Sequence, residues 1–266
     1  MGLIKKQSVV AGGIAFALLL GATACGSDGS DGSSSDSTAK EMGTLTVCSD
    51  IPYAPMEMEG EGPRGLQYTG FDIELMDAMA VTMDDKLEVL DVDFDGILGN
   101  LASGKCDVVA SSLTITDERK EQADFTKPYF DADQSLLVKA DSGVKSLADL
   151  EGKTIGVQSA TTGETYANEN KPDGATVKSF PDTDGLFGAL ASSDIDAILQ
   201  DLPVNAGRAA EDDSVVVVET FPTEEQYGFA VKKGSDLTAE LNTALADVKE
   251  SGAYDELYEK YFPTAN

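Results

Sequence analysis

The sequence predicts an α/β protein made of two lobes. Apolar runs of strand length alternate with stretches of helical spacing, the pattern of parallel α/β sheet. The alternation halts after Tyr129 and starts again. Short segments at 129–133 and 223–227 bracket the second series, so the chain is expected to cross between lobes twice. Lobe one is expected over 43–129 plus 228–266, and lobe two over 130–227. Two lobes joined by a two-strand hinge enclose a cleft that can open and close.

In the first series, Leu45-Thr46-Val47-Cys48 reads as a strand ending at Ser49-Asp50. Residues 71–83 have helical spacing, with Phe71, Leu75, Met76 and Met79 on one face. A strand is expected at 87–92. Residues 94–101 lead into a helix that Gly104 closes, and a strand follows at 108–110. In the second series, strands are expected at 135–139, 152–157, 176–179, 195–199 and 215–218. A helical turn at 147–150 and helices over about 163–168 and 185–191 lie between them. Residues 237–251 and 253–261 read as two helices separated by Gly252, returning to lobe one.

The first 24 residues read as a targeting segment rather than as fold. Lys5 and Lys6 form a basic start, residues 9–20 an apolar run, and Gly21-Ala22-Thr23-Ala24 a small-residue cleavage zone. Cys25 follows at once. This resembles a bacterial lipobox with Ala22 where Leu is commoner, so Cys25 is expected to carry a lipid. The plain alternatives are an ordinary signal peptide or a membrane span, but the apolar run is short for a span. Residues 25–42 are expected to be a flexible Gly/Ser/Asp tether. The protein is therefore placed outside the cytoplasm, anchored by lipid to the cell membrane.

Net charge is −29, from 19 basic and 48 acidic residues. That balance argues against nucleic acid as a partner and allows cationic small molecules. Much of it is solubility. The chain has no histidine, which excludes Ser-His and Cys-His nucleophiles and histidine metal sites. Cys48 and Cys106 leave a disulfide open. A secreted pair favours a bridge, whereas places late in one strand and at the start of another tend to separate them.

The most informative stretch is Ser111-Ser112-Leu113-Thr114-Ile115-Thr116-Asp117-Glu118-Arg119, just past a strand's carboxyl end. Thr116 reads as a helix N-cap, with Asp117 and Glu118 in the first turn. Arg119 in that same turn opposes the helix dipole, so local stability does not explain it. A guanidinium fixed beside hydroxyls and backbone N–H groups makes a carboxylate receptor. The bland alternative is a surface salt bridge with Glu118 or Asp72.

Taken with other motifs, this stretch resembles the bacterial extracellular solute-binding proteins of the polar-amino-acid family. The matches are Leu45-Thr46-Val47, Tyr53-Ala54-Pro55, Gly70-Phe71-Asp72, Ser103-Gly104-Lys105, Thr114 to Arg119, Asp124-Phe125-Thr126-Lys127-Pro128-Tyr129, Asp149-Leu150-Glu151-Gly152-Lys153, Gln200-Asp201 and Gly252-Ala253-Tyr254. They run in family order across 43–262. The resemblance implies the periplasmic-binding-protein type II fold. It also implies a monomeric receptor that hands an amino acid to the permease of an ABC importer, with no cofactor, no metal and no catalysis.

Carried over residue by residue, the resemblance makes Arg119 the partner of the ligand α-carboxylate, helped by Thr114 and the backbone N–H of Thr162. Asp201 takes the α-ammonium with the carbonyl of Ser112. The matching side-chain pocket is Asp50, Tyr53, Phe94, Ser111, Gln158 and Gln200. Tyr53 and Phe94 are expected to sandwich the side chain, with Asp50 at its far end. An aromatic pair plus a carboxylate suits a cation, which points to arginine, lysine or ornithine. The glutamine binders of the family carry a lysine and a histidine where Gln158 and Gln200 stand here, so glutamine is the runner-up. Glu57 is expected to add an anion near the entrance, while Phe71 and Phe125 go to the core. The bland alternatives are core packing for Tyr53 and Phe94 and a turn before Leu202-Pro203 for Asp201. Outside the binding class stand a dehydratase-type cleft enzyme and a sensory binding protein.

Asp91, Asp93, Asp95 and Gly96 mimic the start of a calcium loop, but its closing position is Ala102, where a bidentate Glu is required. Gly152-Lys153-Thr154 lacks the upstream glycine of a phosphate loop.

Overall fold

A computed structural model describes residues 43–263. The targeting segment, Cys25 and the tether lie outside the described residues. No helix among the described residues is long and apolar enough to cross a membrane.

The chain opens with β1 (Gly43–Ser49), a small hairpin of β2 (Met58–Glu59) and β3 (Tyr68–Thr69), then α1 (Phe71–Thr82) and β4 (Asp85–Asp91). Next come α2 (Ile97–Ser103), β5 (Val108–Val109), α3 (Asp117–Gln122) and β6 (Ala123–Phe125). After β7 (Phe130–Asp131) follow β8 (Gln134–Lys139), β9 (Thr154–Gln158), α4 (Thr162–Asn170) and β10 (Thr176–Phe180). The second series closes with α5 (Thr183–Ser192), β11 (Ala197–Asp201), α6 (Leu202–Glu211) and β12 (Val215–Phe221). Last are β13 (Gln226–Tyr227), β14 (Ala230–Lys232), α7 (Leu237–Glu250) and α8 (Ala253–Tyr261).

Two sheet-containing lobes result. One sheet has the order β4-β1-β5-β14-β6, the other β10-β9-β11-β8-β12, and β7 pairs with β13 between the two series. Neither large sheet is purely parallel, contrary to the expectation from alternation alone. β14 runs antiparallel to β5 and β6, and β8 antiparallel to β11 and β12. Both reversals sit where the chain passes from one series to the other. β14, β6 and α6 lie outside the elements expected from sequence. β14 and β6 have only three residues each, too few to show a period.

Helices cover both faces of each sheet, which is why the strands read as continuous apolar runs. Under α1, α7 and α8, Phe71 has no exposed surface and meets Phe130, Tyr254 and Phe262 edge-on. Burying a side chain of that size stabilises by about 1.5–3 kcal/mol. Phe125 is only partly buried, against the smaller cluster under α2. Gly70, at φ +112°, precedes α1, and a Cβ there would meet the Met56 carbonyl oxygen at 2.3 Å. Only glycine allows that approach.

Cys48 and Cys106 are bridged, with Cα atoms 5.7 Å apart. Strand pairing sets Cys48 level with Val109 rather than with Cys106. The left-handed turn at Gly104 (φ +78°) ends α2 and returns Cys106 to the face Cys48 occupies.

Candidate functional site

The site forms where β1, β5, β9 and β11 end. The turn after β5 carries Ser111 and Ser112. Ser112 is held at φ +48°, a left-handed conformation that costs a residue with a Cβ about 1–3 kcal/mol and marks functional sites. Its N–H donates to Asp72 Oδ2 at 2.8 Å. Ser111 Oγ accepts the Asp50 N–H at 2.9 Å, tying the end of β1 to the same turn.

Thr116 caps α3, its Oγ1 accepting the Arg119 N–H at 3.1 Å. The cap fixes the turn from which Arg119 projects. Nη1 donates to the Thr114 carbonyl at 2.9 Å, and Nη2 crosses to the Ala160 carbonyl at 3.1 Å. The guanidinium carbon lies 5.4 Å from the centre of the Phe94 ring. Arg119 therefore makes no salt bridge with Glu118 or Asp72. Among the described residues, two of its five N–H donors have protein acceptors, so three remain for a ligand. Burial holds its pKa below the ordinary value, with the charges of Asp201 and Glu225 opposing that.

Asp201 ends β11 and stands at the N-cap of α6, yet its side chain caps nothing. Instead it accepts hydrogen bonds from Gln134 Nε2 and the Tyr227 hydroxyl. Burial pushes it up to about 6, the Tyr227 bond lowers it, and Glu225 raises it further. Asp50 is likewise pushed up to about 6 by burial, opposed by a hydrogen bond from Gln158 and reinforced by Asp91 and Asp93.

These side chains line a narrow cavity at the strand ends. Asp50, Tyr53, Phe94, Ser111, Ser112, Thr114 and Arg119 line it from the first series, and Gln158, Thr161, Thr162 and Asp201 from the second. A wider groove sharing Phe94, Arg119, Thr161 and Thr162 adjoins it. Thr162 opens α4 behind its N-cap Thr161, so the helix N-terminus faces the cavity. A guanidinium and a carboxylate on one small chamber, with a second carboxylate beyond, can hold a zwitterion.

Two expected placements are corrected. Gln200 does not line the cavity. Its Nε2 donates to Asn205 Oδ1 at 2.9 Å, because β11 alternates faces and Asp201 takes the inward position. Glu57 is not near an entrance. It has no exposed surface and lies beneath Ser112, whose hydroxyl donates to Glu57 Oε1 at 3.0 Å. Phe94 also gives part of its ring to Arg119 itself.

Sequence reasoning missed Thr161, Gln134, Tyr227 and Glu225. Glu225 Oε2 accepts from Thr162 Oγ1 at 2.7 Å, Gln134 Nε2 at 3.1 Å and Thr114 Oγ1 at 3.3 Å. One carboxylate thus grips both series of elements. In sequence it sits in the acidic run Glu224-Glu225, where a solvated face is the default reading.

The model for bacterial extracellular solute-binding proteins, family 3, matches residues 45–264. The chain belongs to this family. Among its relatives, the arginine-binding extracellular protein ArtP of Bacillus subtilis is 34% identical over 96% of this chain and 96% of its own length. The glutamine-binding protein GlnH of an ABC transporter, also from Bacillus subtilis, is 34% identical, covering 92% of this chain and 93% of its own. An ancestral arginine-binding protein solved with arginine bound is 39% identical at a TM-score of 0.75, covering 83% of this chain and 98% of that one. Family 3 members so similar overall thus carry names with different amino acids, and overall likeness leaves the ligand to the pocket residues.

Proposed function

We propose that this family 3 protein binds an L-amino acid with a basic side chain, arginine, lysine or ornithine, and delivers it to an ABC permease without chemical change. The observation that carries the reading is that Arg119 from the first series and Asp201 from the second line one cavity together with Asp50. Arg119, Thr114 and the Thr162 N–H take the α-carboxylate. Asp201 and the Ser112 carbonyl take the α-ammonium. Tyr53 and Phe94 flank the side chain, and Asp50 meets its cationic end, a charge-assisted contact. Residues 129–133 and 223–227 serve as the hinge between lobe one (43–129 plus 228–266) and lobe two (130–227). Closure brings the two halves of the clamp together and couples affinity to the closed state. Cys25 carries the lipid that keeps the monomeric receptor at the outer face of the membrane.

Glutamine is the second reading, and one contact favours it. Gln158 Nε2 donates to Asp50 Oδ2 at 2.7 Å, so Asp50 already accepts a primary carboxamide.

A thermal-shift screen across the common amino acids tests the reading, because a ligand that binds only the folded protein raises its melting temperature. Arginine, lysine and ornithine are expected to give the largest shifts. No shift with any amino acid would refute it.

A further inference from the structure

Glu57 and Asp72 have no exposed surface, and the binding reading uses neither. Their carboxyl groups lie side by side beneath Ser112. Ser112 serves both, its N–H donating to Asp72 Oδ2 and its hydroxyl to Glu57. The Tyr129 hydroxyl also donates to Asp72 Oδ2. Asp72 Oδ1 is buried and receives none of the N–H or O–H donors among the described residues. The titratable groups facing the pair are Asp50, Tyr53, Tyr129 and Tyr254. None brings positive charge, and no ion pair among the described residues includes Glu57 or Asp72. Two adjoining buried carboxylates without a cation do not both stay ionised. Asp72 has a backbone N–H and a phenol to hold its charge, whereas Glu57 has one hydroxyl. Burial pushes Glu57 well above the usual carboxylate range.

We propose that Glu57 keeps a proton and donates it to Asp72 Oδ1, and that this acid pair holds Ser112 in its left-handed conformation at the cavity wall. Glu57 is then a positioning residue. Its effect on the ligand ammonium, through the Ser112 carbonyl, rests on the amino-acid reading above. The proton itself does not.

Infrared spectra of the ligand-free protein and of Glu57→Gln, both at pH 7, test the proton. The wild type is expected to show a protonated-carboxyl stretch that Glu57→Gln lacks. Identical spectra in that band would overturn the proposal. Calorimetry with arginine tests the positioning. Glu57→Gln still offers Asp72 an N–H and should bind arginine within about threefold of wild type. Glu57→Met offers nothing and should bind about tenfold more weakly. A Glu57→Gln variant as impaired as Glu57→Met, or a folded Glu57→Met variant as tight as wild type, would overturn it. Should Glu57→Met fail to fold, the Gln variant decides alone. A wild type that binds no amino acid would refute the function reading, and the infrared band would still decide the proton.

Discussion

Gln158 Nε2 reaches across the cavity to Asp50 Oδ2 at 2.7 Å, joining the end of β9 to the end of β1. The carboxylate assigned to the ligand's cationic tip is thus held by a neutral donor from the opposite wall. A cationic ligand group has to share or replace that donor. A charged donor makes the stronger bond, roughly 1.5–3 kcal/mol against about 1 kcal/mol for a neutral one.

Asp50→Asn should therefore weaken arginine and lysine by about tenfold or more, while glutamine, which needs no charge there, changes by less than about threefold. Calorimetric titration of the three ligands checks this. Equal losses for lysine and glutamine would contradict the cationic assignment.

Solution pH should move stability and affinity in opposite directions. Asp50 and Asp201 each titrate in the folded protein at about 6, and Asp72 is raised as well, all chiefly by burial. Between about pH 4 and pH 6 the folded state holds protons that the unfolded chain has released, so stability falls as pH rises through that window. Asp124, Asp149 and Asp212 have lowered values and lose their contribution only at more acid pH. The ligand-free protein should melt roughly 5 °C higher at pH 5 than at pH 7.5. Arginine affinity should instead strengthen over the same rise, as Asp50 and Asp201 ionise. Parallel melting and calorimetry series would show it.

The Cys48–Cys106 bridge spans a sequence separation of 58. Closing a loop of that length stabilises a protein by about 4 kcal/mol in the chain-entropy account. Reduction should lower the melting temperature by about 10 °C and leave arginine affinity unchanged, because neither cysteine lines the cavity. Calorimetry with and without reductant measures both.

The cavity was legible in the sequence to the extent that its residues break a local rule. Arg119 opposes a helix dipole, which announces another employment. Asp201 came only through the family resemblance, because its place ahead of α6 without capping shows in the structure and not in the sequence. Thr161 was hidden because an N-cap threonine already has a local purpose, and Glu225 because acid is common throughout this chain. Gln200 misled because its neighbour Asp201 does face the cavity, and period-two alternation turns one of any adjacent strand pair away. Glu57 carried no sign of burial in its short, irregular segment. The mixed sheets were illegible because strand direction is set by where the chain crosses, which composition does not record.

On the proposed reading, Arg119 and Asp201 clamp a zwitterion. Calorimetry of the wild-type protein with arginine, decarboxylated arginine and α-N-acetylarginine tests it most directly. Losing the carboxylate removes the partner of Arg119, and acetylation removes the partner of Asp201, so each should weaken binding by about a hundredfold or more. Affinities within about threefold of arginine for either analogue would contradict the clamp.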